Sequence, residues 1–149
     1  MREMLVANFD RCTGCRTCEL ACSFQKEGGY NPAFARLKVV STEDGLWSDV
    51  VVCAQCDNAA CLRTCPHKAI TREAATGVVA LDQEVCKACG ICLKYCHRRM
   101  VRLNPGQRKP VKCDLCPEVG DTRPCVEPCP TDALFVVSVP VGSAQEGQP

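Results

Sequence analysis

Apolar residues along this chain come in short bursts, not in long periodic runs. Met4–Phe9 (MLVANF) predicts a strand. Glu19–Lys26 predicts a short helix, stopped by Gly28-Gly29. Arg36–Ser41 and Asp49–Cys53 predict paired strands around Glu43-Asp44-Gly45. Ala69–Arg72 and Val78–Leu81 predict a second hairpin around Ala75-Thr76-Gly77. Met100–Leu103 reads as a strand, Asn104–Pro110 as a loop, Pro117–Pro124 as a turn-rich surface loop and Leu134–Val139 as a closing strand. Gly142–Pro149 is small and polar, which predicts a flexible tail over 141–149. No apolar run approaches the length of a bilayer span.

Between the bursts stand 16 cysteines in 149 residues. They form four motifs, each opening with Cys-x2-Cys and closing with Cys-x3-Cys. The first is Cys12-x2-Cys15-x2-Cys18-x3-Cys22 and the second Cys53-x2-Cys56-x4-Cys61-x3-Cys65-Pro66. The third is Cys86-x2-Cys89-x2-Cys92-x3-Cys96 and the fourth Cys113-x2-Cys116-x8-Cys125-x3-Cys129-Pro130. Motifs one and three have the spacing of bacterial iron–sulfur runs. Three thiolates on a tight loop can face three corners of a cube, while the fourth, a helical turn on, points toward another. Gly14 lets the loop backbone come close to the cluster. Four motifs of four thiolates match four 4Fe–4S clusters with none left over. The motifs must then swap their last cysteines in pairs. Spacing alone allows one with two and three with four, or one with four and two with three.

Two other uses of cysteine compete. A disulfide scaffold needs an oxidising compartment. The N-terminus MREMLVANFDRC shows no apolar export segment, so a reducing cytoplasm is expected. Zinc sites gather two Cys-x2-Cys pairs at longer separation. Motifs one and three instead crowd three cysteines into seven residues. With four Phe, two Tyr and one Trp, the chain is poor in large core side chains. Metal would complete the interior, and the metal-free chain is expected to lack a stable fold.

Net charge of +1 argues against a general nucleic-acid binder. Lys94, His97, Arg98, Arg99, Arg102, Arg108, Lys109 and Lys112 make a basic stretch. It reads as a solvated face, as cations that raise a cluster's potential, or as a dock for an acidic partner. His67 and His97 are not needed as ligands when sixteen thiolates suffice. Trp47, beside a turn, is expected to pack against the adjacent link, with an interface anchor as the alternative. Proline follows the last cysteine in motifs two and four, while Ser23 and His97 stand there in motifs one and three. Those two positions keep an amide that can donate to a sulfide. No nucleophile–base constellation or phosphate loop is present, so no catalytic residue is assigned.

The order and spacing of the four motifs, with the widened Cys56-x4-Cys61 and Cys116-x8-Cys125, resemble a known family. It comprises the ferredoxin-like electron-transfer subunits of molybdenum and tungsten oxidoreductases and of some hydrogenase complexes. The resemblance covers about residues 4 to 139. It implies an α+β fold of two tandem bacterial-ferredoxin-like modules, the second inserted in the first. The outer module would be 1–35 with 110–140, carrying motifs one and four, and the inner module 36–109, carrying motifs two and three. By position it implies four 4Fe–4S clusters: Cys12, Cys15, Cys18 and Cys129; Cys113, Cys116, Cys125 and Cys22; Cys53, Cys56, Cys61 and Cys96; Cys86, Cys89, Cys92 and Cys65. The two terminal strands would then pair. The run from Cys12 to Gly28, followed by Asn31-Pro32-Ala33, looks most like subunits accompanying tungsten aldehyde oxidoreductases. The expected partners are a tungsten- or molybdenum-pterin catalytic subunit and a flavin/NAD-linked subunit or ferredoxin. Self-stacking into longer wires is a further expectation. The alternatives are a free-standing polyferredoxin and a subunit of a formate dehydrogenase or hydrogenase complex.

Overall fold

The computed structural model describes residues 1–140, so the tail expected at 141–149 lies outside the described residues. Among the described residues the sheet elements are four separate two-stranded antiparallel ribbons. Strand β1 (Arg2–Ala7) pairs with β8 (Leu134–Val139), in register from Arg2 opposite Val139 to Ala7 opposite Leu134. The expected partnership of the terminal strands is therefore present. Strand β1 lies two residues earlier than expected, because Phe9–Arg11 turns as a 3-10 helix capped by the Asn8 side chain.

β2 (Lys38–Ser41) pairs with β3 (Ser48–Val51), and β4 (Ile70–Arg72) with β5 (Val79–Leu81). β6 (Arg102–Leu103) pairs with β7 (Pro110–Val111). The reading of 104–110 as a loop holds over 104–109, and Pro110 instead opens β7. The Asn104 carboxamide oxygen accepts from Gly106 N and Gln107 N, folding the segment into a hairpin turn.

The helices are short: α1 (Thr17–Glu27), α2 (Ala60–Arg63) and α3 (Ile91–Tyr95). Helix α1 runs one turn beyond its Cys-x3-Cys and ends at Gly28 in the left-handed conformation. Ser23, fully buried, closes that end: its hydroxyl lies 2.6 Å from Gly29 O and accepts from Asn31 N at 2.9 Å.

The described residues form two cores. The first gathers Leu5 and Leu134 from the terminal ribbon with Leu37, Val39 and Val50 from the β2–β3 hairpin, around Cys18, Cys22 and Cys125. The second gathers Ala59, Ile70, Val79 and Val101 around Cys61 and Cys92. The β2–β3 hairpin, assigned by sequence to the inner segment, thus packs on the core of motifs one and four. Buried Glu19 ties it there, its carboxylate accepting from Val39 N at 2.8 Å.

Candidate metal centres

The backbone repeats with the cysteines. The second residue after the first cysteine of each motif is left-handed: Gly14 (φ 71°), Gln55 (47°), Ala88 (56°) and Leu115 (60°). Such turns shape a loop into a concavity of backbone N–H groups suited to an anion. Only glycine adopts them without cost. At Gly14 a second restraint applies, since a Cβ there would collide with the Ser48 hydroxyl of β3. The neighbour that demands glycine is thus the packed hairpin, in addition to any cluster.

The loops gather the cysteines in fours. Cys12, Cys15, Cys18 and Cys129 line an open cavity of about 300 Å³. Cys53, Cys56, Cys61 and Cys96 line one of about 510 Å³. Cys65, Cys86, Cys89 and Cys92 line one of about 300 Å³. The remaining four, Cys113, Cys116, Cys125 and Cys22, show their proximity electrostatically. Burial pushes the Cys113 thiol up to about 12 and Cys116 to about 11, and Cys22 adds a like-charge contribution to each. Cys125 is pushed up as well, by burial first and then by Cys113, Cys22 and Cys116. Each trio thus receives its fourth cysteine from a distant motif, one exchanging with four and two with three.

The sets also adjoin one another. Cys125 feels Cys18 of one neighbouring set, and Cys113 feels Cys53 of another. Cys61 and Cys92, with Cys65 and Cys96 beside them, share the second core and link the last two sets.

Burial also pushes Cys18 to about 12 and Cys92 to about 11. Without a cation among them these thiols are neutral, and a metal must displace their protons. Backbone N–H groups reach several sulfurs: Arg36 N to Cys22 at 3.3 Å, Met100 N to Cys96 at 3.3 Å and Ala133 N to Cys129 at 3.2 Å. Motif four accepts such a bond despite Pro130, because the donor sits four residues on, beyond the proline. For Cys129 burial works upward, yet the N–H groups of Leu134, Thr131 and Ala133 together hold it below its ordinary value.

Salt bridges fasten motif one to motif four. Lys26 lies 2.8 Å from Asp114 and 2.6 Å from Glu118, and Arg36 lies 3.3 Å from Asp114. Motif two is fastened to motif four by buried Gln55, whose Nε2 donates to Cys113 O at 2.9 Å. Its Oε1 accepts from Val79 N at 2.9 Å. Buried Lys112 donates to Val79 O and to Cys113 O. Together the two side chains satisfy the outward N–H and C=O of Val79 on the open edge of β5. Sequence reading missed Gln55 and grouped Lys112 with surface cations; an isolated polar residue in an apolar loop was the only available signal.

The basic stretch divides. Lys112 is buried, Arg102 donates to Ala35 O and Leu37 O, and Lys109 donates to Gln83 O. Lys94, His97, Arg98, Arg99 and Arg108 are exposed. His67 is exposed too. Trp47 is 61% exposed at the β2–β3 turn, so the expected packing against the adjacent link is absent. The turn places the indole beyond the reach of either core.

A donor set of four thiols around a shared space suits a cluster with one cysteine per iron. Among the described residues no three His, Cys, Asp or Glu side chains form a group able to hold a single metal ion. Residues 48–139 match the family model described as a 4Fe-4S dicluster domain. The chain belongs to that family. It is 36% identical over 132 residues to the polyferredoxin-like subunit of an aliphatic sulfonate oxidoreductase of Pyrococcus furiosus, covering 87% of this chain and 74% of that one. It is 33% identical over 159 residues to the electron transport protein HydN of Escherichia coli, covering 92% and 89%. In fold it is similar to a chain of the active-site complex BamBC of benzoyl coenzyme A reductase. The TM-score is 0.54 at 22% identity, over 96% of this chain and 82% of that one. No helix among the described residues is long and apolar enough to cross a membrane.

Proposed function

We propose that each four-cysteine set holds one 4Fe–4S cluster, and that the chain relays electrons one at a time between a catalytic subunit and a redox partner. The ligands are Cys12, Cys15, Cys18 and Cys129 for the first cluster, and Cys113, Cys116, Cys125 and Cys22 for the second. Cys53, Cys56, Cys61 and Cys96 serve the third, and Cys86, Cys89, Cys92 and Cys65 the fourth. The observation that carries this reading is the gathering of sixteen cysteines into four adjoining sets.

A bound cluster supplies one-electron oxidation and reduction, with no group transferred. The chain's own residues do the rest. The left-handed loops present the thiols, the two cores exclude water from Cys18, Cys22, Cys61, Cys92 and Cys125, and the Arg36, Met100 and Ala133 amides donate to sulfur. Such hydrogen bonds stabilise extra negative charge and raise potential.

The chain is a non-catalytic electron-transfer subunit, as its relatives' names describe those proteins. Its catalytic partner in this proposal carries a molybdenum or tungsten pterin, with aldehyde oxidation the reaction suggested by the run from Cys12 to Ala33. In this reading the inner unit, 36–109, is an insertion in the outer unit, 1–35 with 110–140, and the packing of the β2–β3 hairpin on the first core supports a tie between the two.

Iron and acid-labile sulfide counted on anaerobically prepared protein test the ligand scheme. About sixteen of each per chain are expected, four per cluster. About eight would leave two cysteine sets without a cluster and reject it. Affinity purification from the native host, with tungsten and molybdenum analysis of whatever accompanies the chain, tests the partner. A preparation holding this chain alone would favour the free polyferredoxin.

A further inference from the structure

Charge is divided unevenly among four loops that carry equal numbers of thiols. Loops 53–68 and 86–99 contain Arg63, Lys68, Lys87, Lys94, Arg98 and Arg99 against one carboxylate, Asp57. Asp57 is already engaged by Arg2 Nη1 at 2.6 Å. Loop 113–132 is the reverse, with Asp114, Glu118, Asp121, Glu127 and Asp132 against Arg123. Segment 12–27 is balanced, with Arg16 and Lys26 against Glu19 and Glu27. A chain of net charge +1 is therefore strongly dipolar.

All six cations of the two inner loops are exposed. Among the described residues none of them takes part in an ion pair; those pairs belong to Arg2, Arg11, Arg16, Lys26, Arg36 and Arg123. Uncompensated like charge destabilises a surface by self-repulsion. Neutralising anionic clusters does not account for it, because motifs one and four hold as many thiols without any excess of cations.

Apolar exposure runs the other way. Phe9, Phe24, Tyr30, Leu46 and Trp47 stand out on segments 1–35 and the β2–β3 turn. In the two cationic loops Tyr95 is the exposed aromatic among the described residues. Lasting interfaces are built on apolar area, whereas charge on a rim speeds encounter and suits brief association. Cys56 and Cys89 are exposed within the cationic loops. His97 and Arg98 border the cavity lined by Cys53, Cys56, Cys61 and Cys96.

We propose that the face formed by loops 53–68 and 86–99 docks a small acidic electron-carrier protein, transiently and by charge. This rests on the electron-relay reading and adds to it the end at which electrons are exchanged and the chemistry of the partner. In the direction of aldehyde oxidation one electron leaves this chain and reduces the oxidised carrier, with no bond made or broken, and the test runs the same exchange in reverse.

The test is stopped-flow electron exchange between the cluster-loaded chain and two probes, a reduced acidic ferredoxin and a reduced basic cytochrome. With the ferredoxin the second-order rate should fall about tenfold or more between 20 and 300 mM salt, because steering is screened. With the cytochrome it should not fall. The K94E/R98E/R99E variant should slow the ferredoxin reaction at least about tenfold at low salt and remove its salt dependence. The milder K94Q/R98Q should do the same in smaller measure, and keeps the test available if the triple variant fails to fold. A ferredoxin rate indifferent to salt and to both variants overturns the proposal.

So does a salt-dependent loss of self-association in sedimentation on E127K, with carrier rates unchanged by the cationic variants. That result would assign the face to a second copy. Iron and sulfide counts on the same samples keep the two readings apart: full counts with an indifferent rate reject the dock alone. If counts are short, salt-dependent retention of the chain on immobilised ferredoxin still reads the dock directly, and no retention rejects it.

Discussion

Gln55 should be the side chain whose loss most weakens the junction between the inner and outer units. It is 1% exposed and bonds in three directions: its Nε2 to Cys113 O at 2.9 Å, its Oε1 from Val79 N at 2.9 Å and from Lys112 Nζ at 3.5 Å. The β4–β5 ladder uses Thr71 and Ala80, with Asp82 N to Ala69 O and Glu73 N to Val78 O on either side, so Val79 N points away from β4. Gln55→Leu keeps volume, and the left-handed cost at φ 47° is common to both residues. What changes is hydrogen bonding. Val79 N–H, buried, is orphaned at about 1–3 kcal/mol. Cys113 O and the Lys112 ammonium each lose one bond but keep another between themselves. A net loss of about 2–3 kcal/mol follows.

Metal loss is irreversible, so the assay is the rate of iron release in guanidinium. If the bonds are absent at the barrier, that rate rises about 30- to 160-fold. Gln55→Glu keeps the acceptor for Val79 N–H and gains an ion pair with Lys112 but sets a carboxylate oxygen against Cys113 O, so its release should lie between the parent and the Leu variant. A Leu variant within about twofold of the parent would refute the reasoning, as would a Glu variant as fast as Leu.

Other outcomes follow from the same geometry. Gly14→Ala combines a left-handed alanine with a collision at Ser48, and should cost more than about 1–2 kcal/mol; Ser48→Ala should restore part of the loss in the double variant, measured by iron release. Ala88→Gly relieves a left-handed alanine on an exposed loop and should slow release by about fivefold, worth about 1 kcal/mol. Cys22→Ala should remove the cluster of Cys113, Cys116 and Cys125 and leave that of Cys12, Cys15, Cys18 and Cys129 the better preserved, read from electron paramagnetic resonance of the reduced protein. Chelation of iron should abolish the far-ultraviolet signature of α1 and the ribbons, because the cores hold few large side chains and bound metal would cross-link the segments that meet at their cysteines.

Much of the fold was legible because its signals are local. The spacing of Cys12, Cys15 and Cys18 is a loop property. The strand at Leu134–Val139 and the hairpins around Gly45 and Gly77 follow from β-branched runs meeting turn residues. The ribbon at Arg102–Leu103 and Pro110–Val111 was half missed, since two-residue strands leave almost no periodicity and Asn104 builds its turn through a side chain. The fate of the basic stretch was illegible for a different reason: Lys112 and Arg98 look alike in sequence, and only packing sends one into a core and leaves the other in water.

The sequence by itself determined the kind of chemistry, since sixteen thiols at iron–sulfur spacing define a donor set wherever the loops go. Only tertiary structure decided which distant cysteine stands beside each trio, because that depends on β1 meeting β8 across the whole chain and on α1 being fastened to motif four through Lys26 and Asp114. It also decided what Gly14 must avoid, where Gln55 bonds and which face is left cationic. These are relations between segments tens of residues apart, and local spacing carries no information about them.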